Sequence, residues 1–236
     1  IDQAIAIDEV KKFIAQQDLD AETRYIPKKV VPSLNGSFSE KVAIIGAGPA
    51  GLSCAFYLAE KGYSPVIFEK NEKPGGMLRY GIPSFKLEKD VIDAEIDIIK
   101  AMGVEIKCGI EVGKDVTLDE LRAQGYKAFY IAIGCQGGRK AGIPGEDAEG
   151  VMTAVDFLRT VGADESYPVT GKAVVVGGGN VAIDVARTAQ RCGAESVAMF
   201  CLEPRDKMPA SEEEIAEALE EDVTIDCGWG PKEILT

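Results

Sequence analysis

The chain has 236 residues, 46% apolar and 28% charged, and its 39 acids against 26 bases give a formal net charge of −13. This balance argues against nucleic acid and anionic membranes as partners, because phosphate-rich surfaces are bound by concentrated Lys and Arg. Histidine is absent and the six cysteines include no C-x-x-C pair, which excludes a histidine acid or base and argues against metal-cluster and dithiol-reductase motifs.

The first 40 residues predict one helix followed by a connector. Val10, Phe13 and Ile14 share one face of a helix over residues 7–17, and the weakly periodic stretch that follows indicates an extended connector. The chain begins without Met and ends abruptly, so we expect a fragment of a longer protein. Dispersed cysteines and the lack of a convincing signal peptide predict a cytoplasmic location.

A first α/β unit is predicted from residue 41 onward. The apolar pattern and the glycine stops predict strands at 41–45, 65–68 and 128–133, and helices at 52–61, 88–102 and after a capping box of Thr117 and Glu120. The uncharged run from Val42 to Ala59 has the length of a membrane helix. Its three glycines and one proline favour strand, tight loop and helix instead.

A second unit of the same kind is predicted after a change of character between residues 143 and 171. Strands are expected at 173–176, 196–202 and 223–226, and helices at 180–192 and 211–221. We therefore predict an α/β fold of two Rossmann-type units with parallel sheets and helices on both faces. The domains expected are residues 1–40 as helix and connector, 41–150 and 151–236.

Acidic residues cluster in and after the last predicted helix. They are Glu212, Glu213, Glu214, Glu217, Glu220, Glu221 and Asp222. A solvated helix face is the favoured interpretation, and a docking surface for a partner is the alternative.

The first glycine motif is Gly46-Ala47-Gly48-Pro49-Ala50-Gly51, between a predicted strand and helix. Its glycines provide a tight turn, bare backbone for a pyrophosphate and close helix–strand contact. The helix that follows directs free N–H groups and partial positive charge at the phosphates. Glu69 follows the next strand, with Lys70 beside it, and an acid there can accept hydrogen bonds from a ribose.

The second glycine motif is Gly177-Gly178-Gly179-Asn180-Val181-Ala182, and its first glycine lies 131 residues after Gly46. Glu203 follows the next predicted strand, as Glu69 does in the first unit. Two such units predict two dinucleotides, which suits a relay in which a nicotinamide passes hydride to a flavin.

A third segment, residues 73–83, contains the paired glycines Gly75 and Gly76 soon after the first ribose-binding strand. Bare backbone there would let the chain approach a flat ring. A surface loop held by turn residues is the equal alternative on physical grounds.

Five segments in this order resemble the glutamate synthase small-subunit family. They are residues 42–51, 75–83, 130–134, 177–184 and 208–210. That family includes related NAD(P)H-dependent flavin subunits and the flavin portion of dihydropyrimidine dehydrogenase. The resemblance covers nearly the whole chain.

The resemblance implies that the first unit holds FAD and the second holds the nicotinamide nucleotide. It implies FAD contacts from Gly46, Gly48, Pro49, Ala50, Gly51, Glu69 and Lys70, flavin-ring neighbours at Gly76, Met77, Leu78 and Ile82, and closure over the cofactor by Ala132, Ile133 and Gly134. It implies contacts to the second nucleotide from Gly177, Gly179, Asn180, Val181, Ala182, Glu203 and Arg205.

Three departures from the family pattern matter. The family's iron–sulfur clusters would lie on an upstream segment outside this chain. The late Gly-Asp strand of the flavin domain is also missing, because the sequence contains no Gly-Asp dipeptide, so the flavin site would be incomplete. NADPH-preferring members often present paired arginines at the second ribose site, whereas this chain reads Phe200-Cys201-Leu202-Glu203-Pro204-Arg205. The carboxylate of Glu203 favours NADH, although Arg205 could still bind a 2′-phosphate.

The implied reaction is hydride transfer from NAD(P)H to FAD, with electrons passing on to iron–sulfur clusters or an electron-accepting subunit. No catalytic residue and no metal ligand is assigned, because this step needs orientation and exclusion of water. A flavin monooxygenase-like enzyme and a non-catalytic dinucleotide-binding or docking module remain alternatives. A thioredoxin-reductase type is disfavoured by the missing C-x-x-C pair.

Overall fold

The computed structural model describes residues 5–30 and 38–235, which form two compact α/β units. The first unit contains residues 5–30, 38–78 and 87–134, and the second contains residues 79–86 and 135–235. The sequence placed the domain boundary at residue 150, whereas packing divides the chain after Gly134 and also brings residues 79–86 into the second unit. The assignment of one cofactor to each domain stays a prediction.

The first unit contains a four-stranded parallel sheet in the order β3-β2-β1-β4. Its elements are α1 (Ile7–Leu19), β1 (Lys41–Ile45), α2 (Pro49–Glu60), β2 (Val66–Glu69), α3 (Met77–Tyr80, which runs into the second unit), α4 (Lys89–Ala101), β3 (Glu105–Cys108), α5 (Leu118–Ala123) and β4 (Tyr126–Ile131). The predicted connector falls partly on residues 31–37, outside the described residues.

Both faces of this sheet are covered. Ile44 and Ile67 of the two central strands pack with Ile96 of α4 on one face. On the other face Phe68 packs with Leu121 of α5. Since strands buried on two faces carry continuous apolar runs, the sequence Val-Ala-Ile-Ile of β1 is the expected one. With both faces covered, the carboxyl edge of the sheet remains for a ligand, and open α/β sheets bind their ligands at this edge.

The second unit repeats the arrangement with a three-stranded parallel sheet in the order β5-β6-β7. Its further elements are α6 (Ala154–Ala163), β5 (Lys172–Val176), α7 (Asn180–Arg191), β6 (Ser196–Cys201), a 3₁₀ turn (Arg205–Lys207), α8 (Glu212–Glu220) and β7 (Thr224–Cys227). Ile183, Met199 and Ile215 are fully buried at its centre. In both sheets the strand before the glycine turn pairs with the strand that follows the next helix.

Most predicted elements are confirmed, and the differences concern short or weakly patterned segments. The last strand of the first unit begins two residues earlier than expected, at Tyr126, because the apolar rings of Tyr126 and Phe68 pack edge-to-face. Strand β3 and helices α3 and α6 were not predicted. Strand β3 reads Glu-Ile-Lys-Cys and lies at the sheet edge, so it lacks the continuous apolar run of a central strand.

The uncharged run from Val42 to Ala59 forms β1, the glycine turn and α2, as expected. Across the two described ranges, every helix falls short of the length and apolar character needed to span a bilayer.

The acidic cluster of α8 is a solvated face in part, since four of its seven acids are exposed and three are half-buried. Glu217 and Glu221 bind the guanidinium of Arg187, and Glu221 also binds Arg191 at 2.7 Å. Both guanidinium groups lie over the ring of Phe85, at 4.7 and 4.1 Å. The carboxylates therefore bind α8 to α7, and the arginines that they hold pack on Phe85 of residues 79–86. Part of the acidic excess thus has a structural role that requires no partner protein.

Replacing Arg187 with Ala should lower the free energy of unfolding of the second unit by about 2 kcal/mol at neutral pH, because Glu217 loses its ion pair and Glu221 keeps only that with Arg191. The effect should fall below that of a fully buried pair, since Glu217 is 42% exposed. Urea unfolding followed by the fluorescence of Trp229, the single tryptophan, measures it. The matched control Arg191→Ala removes a more exposed partner and should lose less than about 1 kcal/mol.

The same variant should change the pH dependence of stability. Hydrogen bonds from Arg191 and then Arg187 hold the pKa of Glu221 below its usual range. A carboxyl with a lowered pKa stabilises the fold above its unfolded-state pKa of about 4.3 and loses this contribution as pH falls through the folded value. The gap between wild type and Arg187→Ala should therefore narrow below about pH 4.5. A gap of constant size would mean that packing on Phe85, and not charge, causes the loss.

Candidate dinucleotide-binding sites

The glycine turn of the first unit is too crowded for side chains at its two ends. Gly46 has φ +106°, and a Cβ added there would lie 2.4 Å from the carbonyl oxygen of Ala132. A Cβ on Gly51 would lie 1.9 Å from the carbonyl oxygen of Gly46. Gly48, the N-cap of α2, meets only the Cα of Gly76, at 3.7 Å. The outer two glycines are thus required by packing, whereas a Cβ at the middle one would make an ordinary van der Waals contact with Gly76.

The paired glycines of the third segment lie directly on this turn. The N–H of Gly75 donates to the carbonyl of Ala47 at 2.9 Å. A Cβ on Gly76, which has φ +55°, would lie 2.7 Å from the Cα of Gly48. The sequence left two interpretations of this segment, a backbone that approaches a flat ring and a surface loop. A surface loop does not explain the close backbone contact between Gly48 and Gly76.

Glu69 is buried and stabilises the turn through a hydrogen bond. It is 4% exposed, and one carboxylate oxygen accepts the N–H of Ala47 at 2.7 Å. The other oxygen accepts the backbone N–H and the side-chain amide of Asn71 at 2.9 and 2.7 Å. Sequence reasoning missed this bracing role, although Asn two residues after a strand-ending acid is a signal for such a local bond. A ribose contact from Glu69 stays a prediction.

The remaining candidates of the first set lie in different places. Ala132 is joined to the end of β1 by its N–H bond to Ile45 at 2.8 Å, and Ile133 and Gly134 follow it on the exposed surface. Met77 begins α3, and the carbonyl of Leu78 accepts a hydrogen bond from Lys89. Lys70 is exposed, and Ile82 belongs to the second unit. The structure therefore joins residues 46–51, 76 and 132 by direct contact.

The glycine turn of the second unit is built on the same plan with more room. Gly177 has φ +146°, and its N–H donates to the carbonyl of Phe200 at 2.9 Å. A Cβ on Gly177 would lie 3.3 Å from the methyl of Ala182, a tight contact on a backbone whose φ disfavours side chains. A Cβ on Gly179, the N-cap of α7, would meet nothing within 4 Å. The second turn therefore has open space at its middle glycine and carries Ala182 at the position of Gly51.

The segment after β6 closes onto this turn. The N–H of Ala210 donates to the carbonyl of Gly178 at 2.9 Å, and the N–H of Ser211 donates to the side-chain oxygen of Asn180 at 3.0 Å. Asn180 is thus occupied in holding α8, while Val181 is 53% exposed at the start of α7. The signal for this contact was the Met-Pro-Ala run at residues 208–210.

The position predicted to bind the second ribose carries one half-buried acid. Glu203 follows β6 after Leu202, which is 73% exposed. Arg205 is exposed and forms an ion pair with Glu212 at 3.3 Å. A 2′-phosphate there would therefore meet Glu203 and an arginine that is already paired.

Residues 79–86 are fastened to α7 by charge. Lys86 lies 2.5 Å from the carboxylate of Asp184 and also binds Glu214. Burial alone would lower the pKa of Lys86, but hydrogen bonds to the two acids outweigh it and raise the pKa. Burial raises the pKa of Asp184 in spite of its bond to Lys86. Asp184 lies four residues after Asn180, so this pair holds the segment close to the start of α7.

The family model of the pyridine nucleotide-disulphide oxidoreductases matches residues 40–229, a range that includes both glycine turns. The chain belongs to this family. Its predicted α/β class is thereby confirmed, and the missing C-x-x-C pair distinguishes it from dithiol reductases that share the plan.

Curated relatives confirm the resemblance to glutamate synthase small chains. A subunit beta of an NADP(+)-dependent formate dehydrogenase of Moorella thermoacetica is 40% identical over 242 residues, covering 94% of this chain and 34% of that protein. Subunit PreT of an NAD-dependent dihydropyrimidine dehydrogenase of Escherichia coli O157:H7 is 45% identical over 192 residues, covering 81% and 46%. The glutamate synthase (NADPH) small chain of Escherichia coli K12 is 37% identical over 233 residues, covering 93% and 48%. The chain thus spans between a third and a half of these relatives.

Solved structures support the fold. FprA of Mycobacterium tuberculosis in complex with NADPH has a TM-score of 0.63 at 24% identity, covering 78% of this chain and 48% of that one. Thioredoxin reductase of Lactococcus lactis has a TM-score of 0.61 at 24% identity, covering 84% and 67%.

The two glycine turns should respond differently to an added methyl group. Gly51→Ala should lower the free energy of unfolding by about 3 kcal/mol, because its Cβ would collide with the backbone at Gly46. Gly179→Ala should lose less than about 1 kcal/mol, since its Cβ enters open space. Urea unfolding followed by circular dichroism compares the two variants. Equal stability of Gly51→Ala and wild type would contradict the packing described for the first turn.

Proposed function

We propose that this chain is the dinucleotide-binding part of a flavin-dependent oxidoreductase, with FAD in the first unit and NADH in the second. The observation that carries the proposal is the duplicated strand–glycine turn–helix–strand unit, in which each middle glycine is the N-cap of a helix. Such a turn is a pyrophosphate site, because bare backbone and helix N–H groups lie together. Two complete turns in one chain suit two dinucleotides.

The first unit has the features expected of a site for FAD. The first N–H groups of α2 have no carbonyl partner within the helix and are available to a pyrophosphate above Gly48. Glu69, already fixed by Ala47 and Asn71, keeps lone pairs for ribose hydroxyls. The close approach of Gly76 to Gly48 brings the third segment to the same turn, which supports its assignment to the flavin.

The second unit has the features expected of a site for a nicotinamide nucleotide. Gly179 offers the open N-terminus of α7 to the pyrophosphate, and Glu203 stands at the ribose position. Asn180 fixes the entry of α8 through Ser211, so the turn is held before the nucleotide arrives. A preformed turn lowers the entropy lost on binding.

A bound flavin would supply the acceptor for a hydride, a chemistry that the twenty side chains lack. The part of the protein itself is to bind, orient and exclude water. The chain contains no histidine, which is compatible with this step because hydride transfer needs no side-chain acid or base. We accordingly assign no catalytic residue.

The choice of NADH rests on Glu203 and Arg205. A carboxylate accepts hydrogen bonds from a 2′-hydroxyl and repels a 2′-phosphate. The ion pair of Arg205 with Glu212 engages the cation that lies nearest to Glu203 in the sequence. The relatives do not decide between NADH and NADPH, since PreT belongs to an NAD-dependent enzyme and the glutamate synthase small chain to an NADPH-dependent one.

We further propose that electrons leave the flavin for iron–sulfur clusters on another segment or for an electron-accepting subunit. Three relatives are named as subunits or chains of enzymes, which favours such an onward route over a reaction with oxygen. A cytoplasmic location is supported by six free cysteines, since a reducing compartment keeps thiols unpaired.

Flavin reconstitution tests the function directly. The purified chain, mixed with excess FAD and desalted, should keep the visible flavin bands, and anaerobic NADH should bleach them faster than NADPH. Stopped-flow absorbance measures both rates. A colourless chain that still binds NADH in calorimetry would overturn the flavin assignment and identify a nucleotide-binding module. Rapid consumption of oxygen with an organic substrate would instead favour a monooxygenase.

Gly179→Ala is the matched control for this experiment. Its added methyl group occupies the open space of the second turn, so the variant should keep FAD while its bleaching by NADH needs a several-fold higher nucleotide concentration. Loss of FAD in this variant would contradict the assignment of the flavin to the first unit.

Glu203→Ala should raise the Kd for NADH about tenfold, because the ribose loses a hydrogen bond to a charged acceptor. Its Kd for NADPH should stay constant or fall, since a repulsive charge is removed. Isothermal titration calorimetry measures both constants. The control Glu212→Gln frees Arg205 and should improve NADPH binding alone. Unchanged NADH binding in Glu203→Ala would exclude Glu203 from the ribose site.

A further inference from the structure

Two of the six cysteines end neighbouring strands of the second sheet. Cys201 is the last residue of β6 and Cys227 is the last residue of β7, and the two are paired across the parallel ladder. Residues paired in this way point to the same side of the sheet. The sequence separates them by 26 positions, so their proximity could not be inferred from spacing.

The two thiols differ in their surroundings. Cys201 is 1% exposed, and its Sγ donates to the carbonyl of Glu203 at 3.3 Å. Cys227 is half-buried, and its Sγ lies 3.8 Å from the Sδ of Met208. Burial first, and then a hydrogen bond with Cys227, raises the pKa of Cys201. A reagent from solvent therefore meets Cys227 before Cys201.

The pair lies directly beneath the glycine turn. A Cβ on Gly178 would lie 2.8 Å from the Cβ and 3.5 Å from the Sγ of Cys201. The carbonyl of Glu203 is held by the thiol of Cys201 and by the N–H of Gly228 at 3.1 Å. Any covalent change at these sulfurs therefore occurs next to Gly178 and at the base of the turn that carries Glu203.

We propose that Cys201 and Cys227 are an oxidative modification site, a dithiol that closes to a disulfide and thereby weakens nucleotide binding in the second unit. Adjacent strands lie about 4.8 Å apart, which falls within the Cα separations of about 4.4–6.8 Å that disulfides span. Cys54 and Cys108 belong to the first unit, and the strand pairing brings no other cysteine opposite Cys201.

The chemistry balances with hydrogen peroxide as the oxidant. The thiolate of Cys227 attacks one peroxide oxygen, the O–O bond breaks, and the products are a sulfenic acid and hydroxide, which takes a proton to give water. The thiol of Cys201 then attacks the sulfenic sulfur, the S–O bond breaks, and a second water leaves. Two thiols are oxidised to one disulfide while one peroxide is reduced to two waters.

The consequence for the nucleotide, which rests on the proposed function, follows from one hydrogen bond. A disulfide has no S–H donor, so the carbonyl of Glu203 loses the bond from Cys201 and keeps only that from Gly228. The turn that presents Glu203 to the ribose loosens, and we expect the Kd for NADH to rise about three- to tenfold.

Peptide mapping by mass spectrometry tests the disulfide without reference to nucleotide. The full chain carrying Cys135→Ser, which removes an exposed thiol able to join two molecules, is treated with hydrogen peroxide and then alkylated. A peptide pair that links Cys201 to Cys227 is expected, and the free thiols should fall from five to three. The link should persist in the added control Cys192→Ser and be absent in Cys227→Ser. Cys227 oxidised to sulfinic acid beside a free Cys201 would overturn the proposal.

Calorimetry with NADH on the reduced and oxidised chain tests the consequence. A weaker Kd that dithiothreitol restores, in the parent but not in Cys227→Ser, supports the coupling. A mapped disulfide with unchanged NADH binding would overturn the coupling and keep the modification site. Failure of the reduced chain to bind NADH would overturn the proposed function of the second unit, while the mapping result would still decide whether the disulfide forms.

Discussion

The first unit depends on the contact between the backbone at Gly51 and the carbonyl oxygen of Gly46. A Cβ at position 51 would stand 1.9 Å from that oxygen, so α2 can approach the end of β1 only because the side chain is missing. This approach fixes the direction of the helix, and with it the direction of its free N–H groups. Ala132 and Gly76 then pack against the same turn. Three distant segments are thereby brought together by the absence of three side chains.

Charge makes this backbone geometry more important. The chain carries a net charge of −13, and both ligands proposed for it are anions. Attraction must therefore come from local dipoles, because the overall field of the protein is repulsive. Helix N-termini supply partial positive charge within the first turn. Three acids near the two turns are already bonded within the protein, since Glu69 accepts the backbone N–H of Ala47, and Glu214 and Asp184 are paired with Lys86.

Sequence reasoning recovered the plan of the fold because its strongest signals are local. The glycine turns, the run of β1 and the capping box of Thr117 and Glu120 each depend on residues a few positions apart. Contacts between distant residues were missed for the same reason. The bond from Glu69 to Ala47, the pairing of Cys201 with Cys227 and the cation contacts of Phe85 join residues 22 to 106 positions apart. Patterns in sequence carry no trace of them.

Residues 75–86 connect the two turns through the chain itself. Gly75 and Gly76 pack on the first turn, whereas Phe85 and Lys86 are held by α7, the helix that begins at the second turn. The stretch between them, residues 77–84, is short and contains one glycine, Gly81, and one proline, Pro83. Both ends of a short segment are therefore fixed by specific contacts in different units.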